Sequence, residues 1–194
     1  MEEIRNRSSV IANLLSGSAT LGRHDYDYEL VALHLRKILE LIAFGSIIGN
    51  LEEYFQTFAN AHKHWNAEKI LADLEKVNPH FYPVPVDIGQ RDERGVTDVR
   101  DSSREHLTRA EFVTLYNRCG AALHIPNSIK TKRVIDFIHH PGVWLQKIHG
   151  LLETHYIALP EDGNVWLVFL NDPKTNRVRA FKAGPADQEF ETTD

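Results

Sequence analysis

A single cysteine, a single methionine and no glycine-rich phosphate loop leave several kinds of chemistry without their residues in this 194-residue chain. Cys119 alone can form neither an internal disulfide nor a cysteine-based zinc site. There is no Gly-x-Ser-x-Gly elbow, no His-Glu-x-x-His pair and no acidic calcium loop, which removes nucleotide triphosphatases, α/β-type hydrolases and zincins. Long apolar runs are missing as well. The longest, residues 38–48, is interrupted by Glu40 and falls far short of the ~20 residues that cross a bilayer. The first ten residues have no apolar secretory core, so we expect no membrane span and a reducing, cytoplasmic setting. Positive charge is in deficit, with 22 Lys and Arg against 27 Asp and Glu and a formal charge of −5. That balance gives no global field for a polyanion and excludes bulk nucleic-acid packaging, while leaving room for a local basic patch.

Core-forming material is plentiful: 42% of residues are apolar, with three Trp, nine Phe and six Tyr. One globular domain, or one with a small appendage, is expected. Residues 4–15 read as a first helix ended by Ser16, Gly17 and Ser18. Residues 26–58 lack proline and carry two adjoining apolar stripes, Leu30, Leu33, Leu41, Phe44, Ile48 beside Val31, Leu35, Ile38, Ile42. That periodicity predicts a long helix, or two in line, buried at the centre of a bundle. Asn66 caps a third helix over residues 67–77, after which residues 81–85, with Pro83 and Pro85, must run extended. Residues 87–106 are polar and aperiodic and read as a long exposed loop.

The next start is signalled four times over. Thr108 and Glu111 form a capping box, and Leu107 with Phe112 form a hydrophobic staple, for a helix from Arg109 to about His124 that stops before Pro126. Residues 130–138 and 143–153 read as two short helices, or one broken at His140, Pro141 and Gly142. Residues 155–159, 165–170 and 177–182 then predict a three-stranded antiparallel meander, its middle strand covered on both faces. Trp166, Phe169 and Phe181 read as core residues and not as a base-stacking platform. The acidic stretch 185–194 should be loose. The fold class is therefore mainly α, α+β overall: a bundle over residues 1–128, then helices and a small sheet over 129–184, then a tail.

Among the polar residues, His62 and His64 flank Lys63, and His139 and His140 are adjacent. Neither spacing puts two imidazoles on one helical face, so no metal and no cofactor are expected. Cys119 and His124 lie about 140° apart round a helix, and Cys119 falls on the apolar stripe, which makes it a core residue before it is a nucleophile. Arg36 and Glu40 are i, i+4 neighbours in an apolar helix. They form either a buried ion pair that fixes register or one wall of a polar notch.

Arg118 and His124, separated by five residues, fit an Arg-x(4 to 6)-His motif at the end of a late helix. Combined with residues 35–44, the stretch Asn78-Pro79-His80-Phe81-Tyr82-Pro83 and the Leu-Thr-x-x-Glu-Phe helix ending in Cys-Gly-x-x-Leu-His, the chain over about residues 26–128 resembles uncharacterised bacterial proteins of the HEPN superfamily (higher eukaryotes and prokaryotes nucleotide-binding). The resemblance implies an all-helical bundle that forms a homodimer through the motif helix, and a metal-independent endoribonuclease, in a toxin or phage-defence setting with an antitoxin or other protein as partner. It further implies that His124 exchanges protons with the ribose 2′-hydroxyl and leaving oxygen and that Arg118 grips the scissile phosphate. Asn117 would hold a phosphate or ribose oxygen, with Arg36 and Glu40 behind. RNA alone carries the attacking hydroxyl. The alternative is a catalytically silent HEPN-like scaffold that binds a protein or nucleotide. Residue by residue, His124 can equally be a helix C-terminal residue favouring the dipole, and Arg118 a surface arginine.

Overall fold

The computed structural model describes residues 1–58, 66–93, 96–124, 135–160 and 163–185. Six helices and five strands occur among them: α1 (Glu2–Leu15), α2 (His24–Gly49), α3 (Leu51–Thr57), α4 (Ala67–Val77), β1 (Val84–Arg91), β2 (Thr97–Asp101), α5 (Arg109–Leu123), α6 (Pro141–Leu152), β3 (Thr154–Ala158), β4 (Val165–Phe169) and β5 (Arg179–Ala183). The architecture is α+β. Among the described residues no helix is long and apolar enough to cross a membrane.

The helical layer forms around α2, whose Val31, Leu35, Ile38, Leu39 and Ile42 are fully buried against α1, α4 and α5. Local capping positions the neighbours. The Asn66 side chain accepts from Lys69 N and opens α4. The Thr108–Glu111 box opens α5, with both Leu107 and Phe112 buried as the staple requires. Of the two expected forms, one long helix or two in line, the structure has two, because Asn50 leaves helical geometry between α2 and α3. Its amide donates to Ser46 O and its Oδ1 accepts from Asn78 Nδ2, which also donates to the Ala158 carbonyl of β3. A break with tertiary partners of this kind carries no local signal. The central helix is also not buried all round: Leu33, Phe44 and Ile48 are 38%, 39% and 55% exposed.

The predicted meander of three strands is instead part of a five-stranded antiparallel sheet in the order β2-β1-β3-β4-β5. The two further strands come from residues 84–101, expected mostly as loop. Val84 and Pro85 pair with Tyr156 and His155, and the chain then folds back as a hairpin with Ile88 opposite Val99. Every residue of β2 is exposed, so burial never imposed the alternation that marks a strand. Register puts His155, Ile157 and Val168 on one face, and Val84, Val86, Ile88, Val99, Tyr156, Leu167 and Phe181 on the other. The first face meets α2, where a Cβ on Gly49 would lie 3.0 Å from Ile157. On the second face, Ile88, Val99 and Phe181 are 37%, 42% and 37% exposed, so Phe181 is not the core residue the sequence suggests. The expected helix over residues 130–138 fails over its described part: residues 135–140 are non-helical and Ile138 has φ 70°. Residues 130–134, His62, His64 and the tail beyond 185 lie outside the described residues.

Candidate functional site at the end of helix α5

Arg36 reaches from α2 onto α5 because Gly120 offers no side chain there. A Cβ at that position would stand 2.6 Å from Arg36 Nη1. The guanidinium lies 4.2 Å from the Tyr116 ring centroid and donates from Nη2 to the Tyr116 hydroxyl at 2.8 Å. The same hydroxyl accepts from Ala67 N, so one buried phenol joins α2, α4 and α5. Arg36 Nε lies 3.4 Å from Glu40, whose other oxygen receives Lys37 Nζ at 2.8 Å. The Arg36–Glu40 pair is partly exposed and not a buried one: its carboxylate is shared between two cations, and its guanidinium lies on Tyr116 of the capped helix.

The motif residues lie on the outer turns of α5. Arg118 is exposed and donates to Asp136 at 3.1 Å, and Asp136 also accepts from the backbone of Ile138. Arg118 therefore ties the segment before α6 to α5. Asn117 donates to Glu68 Oε2 of α4 at 3.3 Å. His124 is the exposed C-cap residue, already extended at φ −87° and ψ 141°. On a regular helix His124 sits about 120° round from Arg118, whereas Asn117 and His124 are nearly eclipsed. Tyr116 and Gly120, under Arg36, lie on the far side of the axis from Arg118. The structure thus brings Arg36, Glu40 and Tyr116 together, with Asn117 and His124 on neighbouring flanks, and sends Arg118 elsewhere.

Cys119 is buried, and burial pushes its thiol up to about 12, so it is a protonated core group at neutral pH. Among the described residues no group of three or more His, Cys, Asp and Glu is placed to hold a metal ion. Comparisons with protein-family models, with curated proteins and with solved structures returned no match.

The opposite end of α5 holds a feature that the sequence did not point to. A cavity of about 410 Å³ opens beside its first turn, lined by His80, Tyr82, Asp101, His106, Arg109 and three prolines among others. His106 Nδ1 donates to the Arg104 carbonyl, which leaves Nε2 as the acceptor of the neutral ring. Tyr82 donates to Leu107 O, and burial pushes its hydroxyl pKa up. Arg109 pairs with Glu75. The lining comes from residues 79–85 and 101–109, which no helical or strand periodicity links; only the fold brings them together.

Proposed function

We propose that this chain is a HEPN-like helical domain that binds a protein partner and does not cut RNA, with the sheet supplying the contact. The observation that carries the reading is electrostatic: the two groups expected on the phosphate or ribose oxygens each meet a carboxylate. Arg118 faces Asp136 and the Asn117 amide faces Glu68, while Arg36, expected behind them, lies against Glu40. A ribonuclease needs cations left over for the scissile phosphate and for the RNA backbone. Here Asp136 neutralises Arg118, Glu68 adds a negative charge beside Asn117, and the chain as a whole carries a formal charge of −5. The apolar sheet face bearing Ile88, Val99 and Phe181 suits a protein contact, since exposed apolar surface on a folded domain marks such sites. The cytoplasmic setting expected from the sequence belongs to this reading.

The ribonuclease reading keeps one observation in its favour: Arg118 and His124 are both exposed within the last two turns of α5. On that reading the chain is the RNase of a toxin or phage-defence system, and its partner the antitoxin.

Incubating the purified chain with single-stranded RNA in EDTA separates the two. The scaffold reading expects intact RNA. Products ending in 2′,3′-cyclic phosphate, lost in both Arg118→Ala and His124→Ala at unchanged melting temperature, would overturn it in favour of the nuclease.

A further inference from the structure

The cavity at the first turn of α5 has no part in the chemistry considered at the helix's other end. Its lining comes wholly from described residues, within the segments 79–85 and 101–109. At about 410 Å³ it falls within the range of ~300–1,000 Å³ usual for ligand pockets. One wall is apolar and stiff. Pro83 and Pro85 are buried, Val84 and Pro85 are held by their pairing with β3, and the Tyr82 ring is packed edge-on against Phe112.

The polar groups of this lining sort by sign. Its donors are committed: the Tyr82 hydroxyl donates to Leu107 O, Thr108 Oγ1 to Glu111, the Arg109 guanidinium to Glu75, and His106 Nδ1 to Arg104 O. Pro79, Pro83 and Pro85 have no amide hydrogen to offer. The start of α5, which would otherwise favour an anion, already holds the Glu111 carboxylate on Thr108 N. Two acceptors are left over. The exposed Asp101 carboxylate makes no hydrogen bond or ion pair among the described residues, and Nε2 of the neutral His106 ring receives no donor there. Ser102 and His80 can each give or take a hydrogen, so neither sets the sign.

We propose that this cavity takes an arginine side chain from an extended segment of the protein partner, an assignment that rests on the partner-binding reading for its source. A guanidinium matches the surplus. It has donors on every edge and no acceptor, forks onto a carboxylate, and lays its flat face on aromatic rings while its stem covers apolar wall. Asp101 receives the fork, His106 Nε2 takes a further N–H, and the prolines and Tyr82 hold the stem. Lysine brings the same charge without the fork or the face. The position suits delivery by a partner on the sheet, because Asp101 ends β2, an edge strand. A chain of formal charge −5 also draws a basic partner.

Titrating the isotope-labelled full chain with N-acetyl-arginine methylamide, read by amide NMR shifts, tests the pocket. Amides of residues 101–109 should move. Asp101→Asn should weaken binding about fivefold, the upper end for an ion pair open to solvent, at unchanged melting temperature, since that carboxylate has no partner in the fold to lose. N-acetyl-lysine methylamide should bind more weakly, and N-acetyl-glutamate methylamide should leave these amides still. Absent shifts, binding undiminished in Asp101→Asn, or a glutamate probe that binds as well as arginine overturns the inference. A capped pentapeptide with arginine at its centre should bind more tightly than the single residue; equal affinity would assign the pocket to a small free guanidinium compound and overturn the partner. Failure here is separable from failure of the scaffold reading. Arginine binding by a chain that cuts RNA refutes that reading alone, and intact RNA with no arginine binding refutes this inference alone.

Discussion

The two faces of α2 both carry large apolar residues, which meet opposite fates. Leu35, Ile38, Leu39 and Ile42 point inward and are sealed, while Leu33, Phe44 and Ile48 point outward and are a third to a half exposed. Residue type alone does not distinguish the exposed Leu33 from the buried Leu35. Apolar surface states that something should cover it, and says nothing about whether the cover is the same chain or another. The inward face has its partners in α1, α4 and α5.

Three substitutions probe that contrast, beginning with the strongest. Leu39→Ala empties a sealed site on the inward face and should cost about 2–5 kcal/mol of unfolding free energy, measured by urea denaturation.

Next comes the sheet face against which the end of α2 packs. His155 is fully buried there, donates from Nδ1 to Leu152 O, and has an Nε2 with no hydrogen-bond partner among the described residues. Burial lowers its pKa from 6.5 to about 4. Between those values the unfolded chain takes up a proton that the folded chain refuses, so stability should fall as pH drops from 6.5 toward 4 and be insensitive to this group above 6.5. The full loss is roughly 3 kcal/mol. Urea midpoints measured against pH should show this slope in the wild type and a shallower one in His155→Leu, where His149 and His34, also lowered by burial, still contribute. Among the carboxylates held low in the fold, Asp172 acts below that window and Glu111, lowered from 4.5, overlaps only its acid end.

The smallest effect belongs to the outward face. Leu33→Ala, on the same helix as Leu39 and of the same residue type, should change the unfolding free energy of the dilute monomer by no more than about 0.5 kcal/mol. A loss comparable to that of Leu39→Ala would erase the distinction between the faces.

Local chemistry made some of this fold legible in advance. The start of α5 announces itself through Thr108, Glu111, Leu107 and Phe112 within six residues, and α4 through Asn66. The three C-terminal strands are β-rich and separated by turn formers. What escaped was set by distant partners. Asn50 breaks a helix to meet Asn78, and β1 pairs with β3 despite Pro83 and Pro85. The hairpin β1–β2 has little burial to impose a pattern on its sequence. The candidate site divides in the same way. Its spacing and its position at the end of a late helix could be read from the chain, and the placing of Cys119 in the core followed from the apolar stripe. The carboxylates that meet Arg118 and Asn117 could not be read, because Asp136 and Glu68 are 18 and 49 residues away.

The Asn78 side chain has a mechanical consequence. One terminal amide group holds the elbow of the helical layer with one hydrogen and the carbonyl of a sheet strand with the other, while its oxygen is taken by the backbone of His80. Tilting the sheet away from the helices would strip one of these hydrogens of its acceptor, on a side chain that is itself buried. A displacement of β3 is therefore felt, through this one side chain, at the joint between α2 and α3.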